Sequence, residues 1–181
     1  VEVCAARGIE VLGVTKGFSA APRIVSAMVR GGIGKLADAR LENVRRLRRH
    51  GFIQHTTLLR IPMLSQTERV TMVCDCSLNS EIQVMEALSD AALRQGRRHE
   101  VVLMIDVGDL REGVFPEEAA SLMRKALTLR GICVSGIGTN MGCYGGILPT
   151  EDNLTLLCDV AVDLEQIAGE PFEVVSGGGT S

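Results

Sequence analysis

Apolar residues along this 181-residue chain fall into two kinds of segment that take turns from one end to the other. Short, dense apolar blocks read as buried strands, and longer stretches with apolar positions every three or four residues read as helices. The pattern predicts a strand over 9–16 and a helix over 22–30 closed by Gly31 and Gly32. A short strand over 35–37 and a helix over 41–50 with Gly51 as its cap come next. A strand over 57–61 ends at Pro62, and a helix over 66–73 and a strand over 76–79 follow. Ser80 reads as the N-cap of a helix through Gln95, with Ile82, Met85, Leu88 and Ala92 on one face and Gly96 beyond its end. Residues 101–105 are apolar without alternation, as a parallel strand buried on both faces should be. A helix over 117–129 with Pro116 near its start, a strand over 132–137, a helix over 151–167 and a strand over 171–175 complete the series.

Seven strand–helix steps joined by short loops imply a parallel sheet with right-handed crossovers. An open doubly wound sheet would collect its chemistry at one switch point. Here chemistry-bearing residues follow nearly every strand: Lys16, Asp38, Arg40, Arg60, Asn79, Ser80, Asp106 to Arg111, Thr139, Asn140, and Ser176 to Ser181. That distribution favours an α/β fold of the TIM-type (β/α)8 barrel class, truncated after the seventh strand. The chain opens on Val1 and closes on a strand-to-helix loop, so residues 1–181 are expected to be a single barrel domain cut from a larger protein.

Nineteen basic against 22 acidic residues leave a formal net charge of −3, which argues against a nucleic-acid partner held by bulk electrostatics. The basic run from Arg45 to Arg49 reads as a solvated helix face whose cations suit the helix C-terminus. Of the six cysteines, Cys133 and Cys158 lie in apolar periodic segments and read as small core hydrophobes, while Cys74 and Cys76 stand too close for a zinc half-site. His50, His55 and His99 show no ligand spacing, so no metal site is expected. The apolar runs are strand-sized, no signal peptide is recognised, and a cytoplasmic setting without membrane contact is expected.

Candidate chemistry sits at the two ends. The last strand opens into Ser176-Gly177-Gly178-Gly179-Thr180-Ser181, a run of small residues whose backbone N–H groups suit a phosphate, and barrels often hold phosphate after their seventh and eighth strands. Lys16 closes the first strand. A phosphate cradle and a lone lysine at barrel-strand ends suggest pyridoxal 5'-phosphate. From position alone Lys16 reads rather as a lysine snorkelling at a rim, and the glycine tail could be a truncation end.

Several strings taken together narrow this. Gly13-Val14-Thr15-Lys16, Leu36-Ala37-Asp38-Ala39-Arg40-Leu41-Glu42-Asn43, Leu59-Arg60-Ile61-Pro62-Met63 and Ser77-Leu78-Asn79-Ser80-Glu81 cover the first half. The second half adds Asp106-Val107-Gly108-Asp109-Leu110-Arg111-Glu112-Gly113, Gly136-Ile137-Gly138-Thr139-Asn140, Cys143-Tyr144-Gly145-Gly146 and Ser176-Gly177-Gly178. With these the chain resembles the alanine/ornithine racemase group of fold-type III pyridoxal-phosphate enzymes over essentially its whole length, and most resembles the ornithine-racemase-like branch.

The resemblance implies that Lys16 forms the Schiff base with the cofactor and then serves as one base at Cα. It implies that Arg111 approaches the cofactor's phenolic oxygen and the substrate carboxylate, although a surface arginine paired with Asp109 or Glu112 would read the same way in sequence. Asn140 would sit near the cofactor ring, and Cys143 and Tyr144 would line the substrate pocket. Gly178, Gly179 and Thr180 would hold the phosphate, with Ser176 and Ser181 in support; the family pattern has Asn in place of Gly179 and Ser in place of Thr180. Asp38, Arg40, Arg60, Asn79 and Ser80 would form a hydrogen-bonded layer beneath the cofactor. The second base would be a tyrosine from the C-terminal β-domain of a partner subunit, a domain absent here.

The expected function is therefore that of a pyridoxal-phosphate-dependent amino-acid racemase acting by two-base proton transfer on ornithine or a related amino acid, with alanine as a further candidate. The full-length protein is expected to be a homodimer, and the fragment alone is expected to be inactive. The alternatives are a non-catalytic cofactor-homeostasis protein with a single barrel domain, or a lyase or aldolase of the same fold type.

Overall fold

A computed structural model describes residues 1–142 and 146–177. Contacts group the chain into two compact units, Val1–Ser77 and Leu78–Ser181. The first holds α1 (Glu2–Ala5), β1 (Leu12–Val14), α2 (Pro22–Arg30), β2 (Lys35–Asp38), α3 (Leu41–Arg49), β3 (His55–Leu58) and α4 (Thr67–Val73), and it ends within β4 (Cys76–Asn79). The second holds α5 (Ile82–Arg94), β5 (His99–Met104), α6 (Pro116–Leu127), β6 (Ile132–Gly138), α7 (Glu151–Ala168) and β7 (Val174–Ser176). Within each unit every pairing is parallel and strands lie side by side in chain order.

Parallel pairing puts the C-terminal ends of neighbouring strands at one edge. In the first unit Val14 stands level with Ala37, and Asp38 with Leu58. The ladder runs one bond further, since the Thr15 amide donates to the Ala37 carbonyl at 2.8 Å. Ala20, Val25, Leu36 and Leu47 are fully buried together, flanked by Phe18, Val29, Ile33 and Phe52. Each buried aliphatic of this kind stabilises the fold by about 1.5–3 kcal/mol. Gly13 belongs to the same packing, because a Cβ there would meet Ile33 Cγ2 at 2.6 Å and Met28 Cε at 2.9 Å.

In the second unit β5 is buried along nearly its whole length. Met85 and Leu88 of α5, Met123 of α6, and Leu157 and Leu164 of α7 belong to that core. Helix α7 starts in a reciprocal cap: the Asn153 amide donates to Thr150 Oγ1 at 3.3 Å, and the Thr150 amide donates to Asn153 Oδ1 at 2.8 Å. No helix among the described residues is long and apolar enough to cross a membrane.

Four local expectations are corrected. The first strand is shorter than its apolar run, because Thr15 already has φ −102° and ψ −4° and turns the chain out of the extended region. The N-cap of α5 is Glu81, in extended backbone and without a side-chain bond, so Ser80 lies one residue too early. Cys158 is exposed and Cys133 half-buried, whereas Cys74 and Cys76 are the buried cysteines. The outward face of α7 keeps apolar residues such as Val162 beside Cys158, which the periodicity alone cannot tell from a core stripe.

The basic run is the fourth. Arg45 and Arg49 are exposed as expected, but Arg48 is half-buried and spends every nitrogen. Its Nε donates to the Val73 carbonyl at 3.0 Å and its Nη1 to the carbonyls of Phe52 and Gln54 at 3.1 and 2.9 Å. Its Nη2 meets Asp75 Oδ2 at 2.6 Å, and that same oxygen accepts the Thr56 amide at 2.8 Å. A residue that reads as solvated in sequence thus binds α3 to the C-terminal end of α4 and to the segment leading into β3.

Candidate functional site

In the first unit the strand ends carry a lysine and a buried acid. Lys16 is exposed and begins a single 3-10 turn, Lys16–Phe18, just past β1. Asp38, the last residue of β2, is wholly buried. Its Oδ2 accepts the Thr15 hydroxyl at 2.6 Å and its Oδ1 the Arg40 amide at 2.8 Å. Asn43 Nδ2 reaches the two oxygens at 3.0 and 3.1 Å. A buried carboxylate is tolerated only when its lone pairs are met, and here the donors come from Thr15 just past β1, Arg40 between β2 and α3, and Asn43 on α3.

After the lysine the chain makes an unusual turn. Ser19 and Ala20 both have φ 52°, the left-handed region that L-residues avoid at a cost of roughly 1–3 kcal/mol each. The Thr15 carbonyl accepts the amides of Phe18 and Ala20 at 3.4 and 3.1 Å, and Arg46 Nη1 donates to the Ser19 carbonyl at 2.8 Å.

In the second unit the loop after β5 is tied down at both ends. The Asp106 amide donates to the Val114 carbonyl at 2.8 Å and the Val114 amide to the Met104 carbonyl at 2.9 Å. A Cβ at Gly113 (φ +148°) would meet Asp106 N at 2.7 Å, so the closure needs a glycine. Asp106 Oδ1 accepts the amides of Gly108 and Leu110 inside the loop. Arg111 leaves from this frame, and its Nε lies 2.8 Å from Glu112 Oε2. Of the pairings open to it in sequence, the one to Glu112 is made; a pair this exposed contributes about 0–1 kcal/mol.

Asn140 follows β6. Its Nδ2 is buried and, among the described residues, has no hydrogen-bond partner. Ser176 ends β7 exposed, and its carbonyl accepts the Thr139 amide at 3.0 Å, which sets Thr139 and Ser176 side by side at one strand edge. Gly177 follows directly.

Within the first unit the structure therefore brings Lys16, Asp38 and Arg40 to one edge. Within the second it does the same for Arg111, Asn140 and Ser176. Cys143, Tyr144, Gly178, Gly179, Thr180 and Ser181 lie outside the described residues. Sequence reasoning missed Thr15 and Arg46, whose partners are more than one element away, and Asn43, which bonds Asp38 in the adjoining strand; the one local signal was a polar Asn43 on the apolar face of α3.

Each unit by itself carries residues of kinds that suit a pyridoxal phosphate. A buried amide nitrogen lacking an acceptor after β6 can donate to a ligand, whereas leaving it unmet costs about 1–3 kcal/mol. Lys16 offers an exposed amine at a strand end, and the Ser176–Gly177 backbone leaves β7 without bulky side chains.

Comparison with known proteins places this arrangement. The family profile "Alanine racemase, N-terminal domain" matches residues 4–181. A lysine racemase of Thermotoga maritima is 39% identical over 180 residues, 99% of this chain and 50% of that protein. An ornithine racemase of Acetoanaerobium sticklandii is 36% identical over the same extent. The chain thus spans about half the length of the curated relatives it matches. Among solved structures, an alanine racemase of Clostridium difficile 630 superposes with a TM-score of 0.78 at 19% identity, covering 92% of this chain and 45% of the other. That likeness shows the fold: the TIM-type barrel class read from the strand–helix alternation, with seven strands among the described residues.

Proposed function

Because the chain belongs to the alanine racemase family through its N-terminal domain, we propose that it is the barrel portion of a pyridoxal-phosphate-dependent racemase of basic amino acids. The observation that carries this reading is the 39% and 36% identity to lysine and ornithine racemases across 99% of the chain. Alanine is the less favoured substrate, since the alanine racemase structure shares 19% identity.

When bound, pyridoxal phosphate supplies an electron sink for the charge left at Cα when its proton departs. Lys16 holds the cofactor covalently through its amine. When free, that amine would remove or return the Cα proton on one face. Arg111 turns its guanidinium from Glu112 to the substrate carboxylate, an exchange of one anion for another that a fixed fork of donors favours. Asn140 Nδ2 donates to the cofactor. The backbone N–H groups after Ser176, with Gly178, Gly179 and the Thr180 hydroxyl, bind the phosphate. Cys143 and Tyr144 line the substrate pocket. A tyrosine outside this chain serves the opposite face of Cα, in a cytoplasmic homodimer.

The test is a chiral assay of the native-length protein, loaded with pyridoxal phosphate, against a panel of L-amino acids. D-lysine or D-ornithine should accumulate fastest, and Lys16→Ala should abolish both turnover and the yellow colour of the loaded protein. Colour at full strength in Lys16→Ala would move the covalent attachment elsewhere. Preference for alanine over both basic substrates would overturn the assignment of substrate class.

A further inference from the structure

We propose that Asp38 and Arg46 are positioning residues for Lys16, each gripping one end of the turn that carries it. The inference rests on the reading of Lys16 as the residue that binds the cofactor, and adds to it a mechanism by which the lysine is held.

The grip before the lysine is the hydrogen bond from Thr15 to Asp38. Thr15 and Asp38 are both fully buried. The Thr15 hydroxyl has one proton and two acceptors in reach, the Ala37 carbonyl at 3.2 Å and Asp38 Oδ2 at 2.6 Å. The shorter, charge-assisted contact wins. The carboxylate is fixed in turn by the Arg40 amide and by Asn43. Packing alone gives no reason for an acid here, because a buried aliphatic of similar volume would cost no desolvation. What the acid adds is direction: it sets the rotamer of the residue immediately before Lys16.

The grip after the lysine is the bond from Arg46 to the Ser19 carbonyl at 2.8 Å, from a side chain otherwise exposed on α3. It acts on a backbone held against its preference, since Ser19 and Ala20 are both left-handed. Two such residues in succession persist only when their surroundings over-determine them. Ala20 is held by its fully buried methyl group, and Ser19 by Arg46. Asn43 and Arg46 are three residues apart on α3 and so share a face of that helix. One helix therefore sets both ends of the lysine turn. A covalent anchor held in one geometry reacts without first being ordered, which is the effect that makes a misplacement of about 1 Å cost up to a hundredfold.

The test measures attachment rather than turnover. The native-length protein is mixed with pyridoxal phosphate and quenched with borohydride at timed intervals. The reduced cofactor is then counted on the Lys16 peptide by mass spectrometry, with the melting temperature of the cofactor-free protein recorded alongside. Thr15→Val and Arg46→Ala should each slow labelling of Lys16 by about tenfold, Arg46→Ala with little change in melting temperature and Thr15→Val with a lower one because buried Asp38 loses a donor, and Thr15→Ser, which keeps the hydroxyl, should hold the rate to within about twofold of the parent. Label on a different lysine in the unmodified protein overturns the reading of Lys16 and the positioning with it, before any variant is made. Label on Lys16 at an unchanged rate in both variants overturns the positioning alone. Should Thr15→Val fail to fold, Arg46→Ala decides by itself, because its side chain is exposed and its loss leaves the core intact.

Discussion

Asp106 takes the backbone amide of Leu110 at 3.1 Å on the same oxygen, Oδ1, that takes the amide of Gly108 at 2.8 Å. Leu110 is exposed and left-handed, with φ 52°, and the residue after it is Arg111. One carboxylate oxygen thus shapes the backbone from which the proposed substrate-binding arginine departs.

Asp106→Ala removes the acceptor of two amides, and hydrogen bonds to a charged group contribute about 1.5–3 kcal/mol each. We expect a loss at least as large as one such bond in urea unfolding, together with a fall in turnover. Asp106→Asn keeps one carbonyl oxygen in place and should lose less in both measurements.

Arg111→Lys keeps the positive charge but gives up the planar fork of donors. Turnover and the apparent affinity for the amino acid should fall several-fold, while retention of the cofactor through gel filtration stays near that of the unmodified protein. Equal turnover would leave Arg111 as the partner of Glu112 and nothing more.

Arg48→Ala removes a donor from three carbonyls and from the half-buried Asp75 carboxylate, leaving Asp75 Oδ2 the Thr56 amide. A destabilisation of about 2–4 kcal/mol is expected, the range for loss of a hydrogen-bonded network. Arg48→Lys should recover little of it, since one ammonium cannot reach the same set. Arg45→Ala, on the exposed side of the same helix, should lie within about 0.5 kcal/mol of the parent.

Gly136→Ala should be among the most damaging single-atom additions to the second unit. The new methyl would collide with the Val174 carbonyl oxygen and lie 2.8 Å from its carbon, and that backbone is the paired strand β7. A loss above about 3 kcal/mol, with faster amide exchange along β7, is expected. Gly34→Ala, where nothing lies within 4 Å, is the control and should change stability little.

The alternation of strands and helices was legible because strands such as β5 are dense apolar blocks and the helices keep a polar face. The predicted ends of α2 and β4 match the structure. The rim residues were legible for the same reason: in parallel units whatever follows a strand lands on a common edge. Contacts that join distant parts of the chain were not. Thr15 and Asp38 are 23 residues apart, and Arg46 and Ser19 are 27 apart, so no local periodicity reports them. Asp38 was visible as a strand-end acid, but its partner Thr15 looked like one more β-branched strand residue. Arg48 and Cys158 failed for a related reason. A helical repeat says which residues share a stripe, but not how wide a stripe the neighbouring elements cover.

The way the 106–113 loop is closed has a use beyond this chain. Because Val114 rejoins β5 through backbone bonds alone, the residues between form a cartridge whose length and side chains can be exchanged without disturbing the strand beneath. Lengthening such a segment costs little closure entropy, about 0.6 kcal/mol for each doubling. A designer wishing to change the surroundings of Arg111 would therefore begin there, keeping Asp106 and Gly113 as its two fixed hinges.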